Sequence, residues 1–342
     1  MKPAILFAPR RAYDMVERWH EKAMALMIRV HDCSLSGTQV SREHIRLSMR
    51  VIRMKRSRPA ISKAGYLLQW LIQVGVCIVG KPVRLSDVPW LDGPLGEDLI
   101  GPTFYARFAA QTGLLLADNT SDAGLLADFD SLAGAHFDPA RVHPEVRRFY
   151  EHTAQYDMDV WSQWHGVLTP FARLLVALVS PLMEQFNLPL APLATSKGVR
   201  SDLATFVDGH GRPLYAGWLR QNQATGAVIY AGFYTVCTPP GAGQPCVKVM
   251  FPVPKGSTTV ILRPQNGRDG TLILISHGSG FGTPGFYRIH RPRRGRAVRV
   301  ASFPLHEVFH VYSAEEGTLR TDHTLHFLGL KFLTLHYHIR RR

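Results

Sequence analysis

The stretch Cys246-Val-Lys-Val-Met-Phe-Pro-Val-Pro-Lys-Gly-Ser-Thr-Thr-Val-Ile-Leu-Arg263 decides the fold class. Its two ends, 246–251 and 258–263, are rich in β-branched residues, and Pro252-Val-Pro-Lys-Gly256 between them supplies turn chemistry. The same texture continues in both directions. Upstream, strand-like runs at 214–220 and 227–237 flank Asn222-Gln-Ala-Thr-Gly226. Downstream, Asn266-Gly-Arg-Asp-Gly270 leads into a run at 271–276, and glycine-rich or basic loops precede runs at 286–291 and 297–302. The last three runs are divided by Glu315-Glu316-Gly317 and by Gly329-Leu330. Residues 199–342 therefore read as an antiparallel β domain, either barrel-like or a strongly twisted sheet.

The N-terminal half reads as helical, so the class is α+β. Residues 1–60 form a basic, helix-compatible extension, with Met15, Val16, Trp19, Ala23, Leu26, Met27 and Val30 near helical spacing. No apolar h-region follows the start as in a secretory signal peptide. Residues 61–198 read as a mainly helical region with an irregular acidic linker at 82–143 and a short helix near 102–111. The run 64–80 carries no charge and is bounded by Lys63 and Lys81. A spanning helix needs about 20 apolar residues, so the reading is a buried core helix, or a helix followed by a strand. A membrane span is the alternative, with the basic flank on its cytoplasmic side. Pro144 and Glu145 suit a helix start, and that helix is expected to continue through Trp164. A second apolar helix is expected near 170–186, with Phe171, Leu174, Leu175, Leu178, Val179, Leu182, Met183 and Phe186 in one stripe.

Composition narrows the function classes. Apolar residues make up 46% and charged residues 19%, which is a globular balance rather than a disordered one. The net charge of +14 is uneven: residues 1–60 hold 13 Lys/Arg against 5 Asp/Glu, whereas 61–135 hold 4 against 8. Further basic clusters occur at Arg288–Arg299 and at Arg340-Arg341-Arg342. Such patches attract phosphate. No nucleic-acid-binding motif accompanies them, so a nucleic-acid partner is not expected. None of the four cysteines forms a CxxC. Cys237 and Cys246 flank one turn and are read as free thiols, a bridge being the alternative in an oxidising compartment.

Three groups of residues carry candidate chemistry. His306-Glu307-Val308-Phe309-His310 spells the zincin motif, which requires a helix to bring both imidazoles to one ion. Its residues are β-formers and precede a hairpin, so His306 and His310 are expected about 13 Å apart on a strand. A turn at Gly329-Leu330 would pair Phe327 with Phe332 and His323 with His336, bringing His338 to the same face as a second candidate zinc site. On the helix expected from Pro144, His152, Tyr156 and Asp159 share one side next to Trp161, forming a candidate ligand-binding patch. The glycine-rich Gly278-Ser-Gly-Phe-Gly282 lacks a following helix and reads as a turn. The combination Phe149-Tyr-Glu-His-Thr, Asp159-Val-Trp-Ser-Gln-Trp and Leu335-His-Tyr-His resembles an uncharacterised bacterial family and implies no activity.

The leading functional reading is a non-enzymatic or accessory protein that encloses a hydrophobic small molecule between the β domain and the adjoining apolar helix. A zinc-dependent hydrolase and a membrane-associated accessory protein held by 64–80 are the alternatives. The expected location is cytoplasmic, with or without membrane attachment.

Overall fold

A computed structural model describes residues 63–96, 104–117, 121–166, 169–170, 174, 199–222, 228–292, 297–315 and 318–342. The basic extension at 1–60 and nearly all of the helix expected at 170–186 lie outside these residues.

Among the described residues, three α-helices stand in the N-terminal half: α1 (Lys63–Val79), α2 (Phe104–Thr112) and α3 (Pro144–Glu151). Several 3-10 turns separate them, in keeping with the Pro-, Gly- and Asp-rich composition of that region. The described strands number fourteen and make one sheet: β1 (Lys81–Val83), β2 (Leu115–Leu116), β3 (Tyr156–Trp164), β4 (Val199–Val207), β5 (Pro213–Asn222), β6 (Val228–Cys237), β7 (Cys246–Val253), β8 (Gly256–Asn266), β9 (Leu272–Ile275), β10 (Gly285–His290), β11 (Val298–Phe303), β12 (Leu305–Glu315), β13 (Thr318–Phe327) and β14 (Leu330–Arg341). The main path runs β2-β4-β5-β6-β7-β8-β9-β12-β13-β14-β3, and β10, β11 and β1 branch from β8. Every pairing between these strands is antiparallel. No ladder among the described residues joins β3 to β4, so the sheet curls without closing into a barrel.

Both faces of the central strands are covered, which explains why β7 and most of β8 are buried without the alternation of a strand that has one face in water. On the inner face, Leu125, Phe129, Leu132, Val146 and Phe149 pack against Val247, Val260, Leu272 and Leu319. On the outer face, Phe104, Tyr105 and Phe108 of α2 meet Phe206 and Phe233 in edge-on contacts at 4.9–6.1 Å. Beside them Trp90 packs on Tyr287 and Phe281, so the Gly278–Gly282 loop is indeed a turn, and it tucks an aromatic ring under the sheet.

Two expectations are overturned. The helix that begins at Pro144 stops at Glu151, and Thr153–Gln155 form a 3-10 turn that leads into strand β3. Tyr156, Val160 and Ser162 are buried while Asp157, Asp159, Trp161 and Gln163 are exposed. That is a period of two, and pairing with β14 holds it in place. The 64–80 run is a helix followed by a strand, as one reading held. It is not a buried core helix, because much of α1 is exposed. Among the described residues no helix is long and apolar enough to cross a membrane.

The β7–β8 hairpin sets a strict local demand. Lys255 and Gly256 both have positive φ, 61° and 155°, and a Cβ at Gly256 would meet the Ile289 carbonyl oxygen. Gly256→Ala is expected to lower stability by more than about 1 kcal/mol. Gly209→Ala, in the open β4–β5 turn with nothing within 4 Å, is expected to leave it nearly unchanged. Urea titration of the two variants checks this contrast.

Candidate functional site

Inside the curled sheet lies a cavity of about 180 Å³. Its walls are every second residue of the strands: Val247 and Val249 of β7, Val260 and Leu262 of β8, Leu335, Tyr337 and Ile339 of β14, with Met158 from β3. Leu125, Phe149 and Tyr150 close it from the side of α3. The lining is apolar apart from a small group near Arg220, Glu307, Thr321 and His323.

Each member of that group is inward by strand alternation. Arg220 follows Trp218 on β5 by two positions and is 1% exposed. Its guanidinium lies over the Trp218 ring at 5.3 Å and over the Tyr337 ring at 5.7 Å, and it hydrogen-bonds the Tyr337 hydroxyl. Burial pushes the Tyr337 phenol up to about 12, although the neighbouring Arg220 pulls the other way. Glu307 and His323 are buried at 9% and 8% exposure. The His323 ring stacks on Phe309 at 3.7 Å between centroids and 14° between planes, with Tyr337 roughly parallel beyond it at 6.5 Å. Its Nε2 lies 3.5 Å from Glu307 Oε2, and neither ring nitrogen makes a hydrogen bond. A buried polar group without a hydrogen bond is costly and uncommon.

The residues of the zincin spelling are not gathered around one point. His306 to His310 lie on strand β12, so Glu307 points into the cavity while exposed His310 faces the other way. The His306 ring instead lies against His277, at 4.4 Å between centroids with the planes tilted by 58°.

The terminal-hairpin cluster also dissolves. The turn is Leu328-Gly329, one residue earlier than expected, with φ of 51° and 81° as a type I′ turn requires. After a bulge, His323 stands opposite Leu335, and His336 stands opposite Asp322. Only His323 faces inward. His336 Nδ1 lies 2.6 Å from Asp322 Oδ1 on the outer face, its Nε2 3.2 Å from Gln163 Oε1, and its ring stacks on Trp161. His338 stands opposite Arg320 and Asp159. The described residues contain no group of three or more His, Cys, Asp or Glu placed to hold a metal ion.

The patch expected on a Pro144 helix is likewise dispersed, because the segment is mostly strand. His152 caps α3 and its Nδ1 is 2.7 Å from Asp122 Oδ1. Tyr156 is buried and donates to Glu145 Oε2 at 3.2 Å. Asp159 accepts from Arg340 at 2.7 Å on the outer face, next to Trp161. None of the four lines the cavity. Sequence reasoning missed Arg220 and Tyr337, and it took Glu307 only as a zincin residue. The available signal was the alternation Trp218-Leu-Arg220 and Leu335-His-Tyr337-His-Ile339.

Cys237 and Cys246 face each other across β6 and β7 as free thiols, on the side of the sheet away from the cavity. Burial pushes them up to about 11 and about 12, so both stay protonated near neutral pH.

Tyr337 supplies a pH dependence. Its folded value lies above the ordinary phenol value, so its contribution is fully present below pH 10 and is lost as pH rises from 10 to 12. Tyr337→Phe is expected to reduce the stability lost over that window by up to about 3 kcal/mol. Urea midpoints measured across the window check it.

The chain is 28% identical over 266 residues to a protein of Bacillus subtilis (strain 168) named "Uncharacterized membrane protein YndJ". The match covers 76% of this chain and 44% of that relative, so the chain spans less than half of the relative's length. No family model matches, and no solved structure matches. The chain is thus distantly similar to an uncharacterised bacterial membrane protein.

Proposed function

We propose that the chain binds a small amphipathic molecule in the cavity of the curled sheet. The apolar body lies against Val249, Val260, Leu262 and Leu335, and the polar end hydrogen-bonds His323. The observation that carries this reading is the buried His323 ring, which lines an apolar cavity and makes no hydrogen bond at either nitrogen. A cavity of about 180 Å³ exceeds the roughly 150 Å³ that admits benzene in an engineered apolar site. Its walls match the usual composition of small-molecule sites, apolar with a few placed polar groups. Among the described residues its cover comes from α3 and Leu125, and nearly all of the 170–186 helix expected beside it lies outside them.

Decanol serves as a probe, with binding followed by calorimetry. Leu262→Trp fills the cavity and is expected to weaken binding at least tenfold. His323→Phe preserves the ring stack and is expected to weaken decanol more than decane, because it removes only the polar partner. Equal affinity of the wild-type and Leu262→Trp proteins, both folded by circular dichroism, would refute the reading.

A second reading, membrane association, has the name of the Bacillus subtilis relative in its support. Cells expressing the chain are expected to yield it in the membrane fraction at low ionic strength, and recovery only in the supernatant would overturn this.

A further inference from the structure

Helix α1 is inverted relative to an ordinary surface helix. At 3.6 residues per turn, Gln69 and Gln73 fall on the same side as buried Val76. Gln73 Oε1 accepts from Lys255 Nζ at 3.5 Å on the body of the domain. The opposite side is a stripe of Leu67, Trp70, Leu71, Val74 and Ile78. Leu67 is 58% exposed, Trp70 57%, Leu71 50% and Ile78 76%. No polar residue interrupts that stripe. An ordinary amphipathic helix has the reverse arrangement, with its apolar stripe toward the core.

The sequence on either side of the stripe is cationic. Residues 44–86 contain nine Lys/Arg and no Asp/Glu. Among the described residues, Lys81 and Lys255 are exposed beside the helix, and Arg299 donates to the Gly80 carbonyl at its end, 3.2 Å away. Seventeen residues at about 1.5 Å each make a helix of about 26 Å, short of the roughly 30 Å hydrocarbon core. It is long enough to lie along a bilayer surface.

We propose that the exposed stripe of α1 lies in the plane of an anionic lipid bilayer. The apolar side chains enter the acyl boundary, Trp70 sits at headgroup depth, and Lys81 and Lys255 meet lipid phosphates. Charge complementarity selects this occupant. A second copy would bring two strongly basic segments together, whereas an anionic surface neutralises one. The inference rests on the membrane-association reading and is independent of the cavity.

The test uses the full chain and vesicles of phosphatidylcholine, with or without phosphatidylglycerol. Sedimentation is expected to show about tenfold stronger partitioning onto the anionic vesicles, weakened by salt. The triple variant Leu67→Ser/Leu71→Ser/Ile78→Ser is expected to lose most of that binding while keeping its circular dichroism and melting temperature. Lys81→Glu/Lys255→Glu is expected to lose the anionic preference alone. Equal binding to both vesicle types, or no effect of the stripe variant, would overturn the proposal. So would a dimer that the stripe variant breaks apart without any vesicle binding by the native chain. If the stripe variant still fractionates with cell membranes as the native chain does, the inference fails and the membrane-association reading survives. If the native chain itself stays in the supernatant, both fail.

Discussion

The alternation of β14 is the constraint on which the interior depends. Leu333, Leu335, Tyr337 and Ile339 must share one face, and Thr334, His336, His338 and Arg340 the other. β14 lies between β13 and β3, so its facing propagates to both neighbours through the ladders. Once Leu335 is inward, His323 opposite it is inward as well, and Asp322 turns outward to meet His336. A slip of one residue would exchange these sets. The cavity would then be lined by histidines, and the apolar side chains would face water.

A sheet of this size has two faces to cover, and the chain covers them with different material. The segment 121–156 fills one side of the curl with Phe129, Leu132 and Phe149, and α2 and the Trp90 turn cover parts of the outside. What remains inside is a space too small for another structural element and walled mostly by hydrocarbon. A single stacked imidazole near a carboxylate gives it polarity at one place. Arg220 is held over Trp218 and Tyr337, so a cationic group lies within the same wall. Helix α1 departs from the pattern of covered surfaces, since its apolar stripe is left open among the described residues.

Much of the β domain was legible because strand signals are local. The runs at 214–220, 246–251 and 286–291 correspond to β5, β7 and β10, and the turn residues between them interrupt the chain where expected. The segment Tyr156-Asp-Met-Asp-Val-Trp-Ser-Gln-Trp164 misled because a helix start at Pro144 was extended across it. Its alternation of inward Tyr156, Met158 and Val160 with outward acids is a clear strand pattern, and the partner that stabilises it lies near the C-terminus, at β14. The His306–His310 motif was legible in the opposite sense. β-Forming residues and a following hairpin argued for a strand, and on a strand the motif cannot gather its ligands around one ion.

The sequence by itself determined the α+β class, the antiparallel strands of the C-terminal half and the basic flank ahead of α1. These depend on side-chain chemistry within a few residues, where sterics, turn propensity and charge act directly. Only the tertiary structure decided which residue of β14 stands opposite which residue of β13. Shifting the turn from Gly329-Leu330 to Leu328-Gly329 slides β14 along its partner by two positions, and the bulge between Leu325 and His326 takes one back, leaving a net slide of one that exchanges the two faces. The two turns differ little in local chemistry. The choice is made by burial: the register that puts Leu333, Leu335 and Ile339 inside against β5, β7 and β8 removes the most hydrocarbon from water. His323 went inside with them and His336 did not.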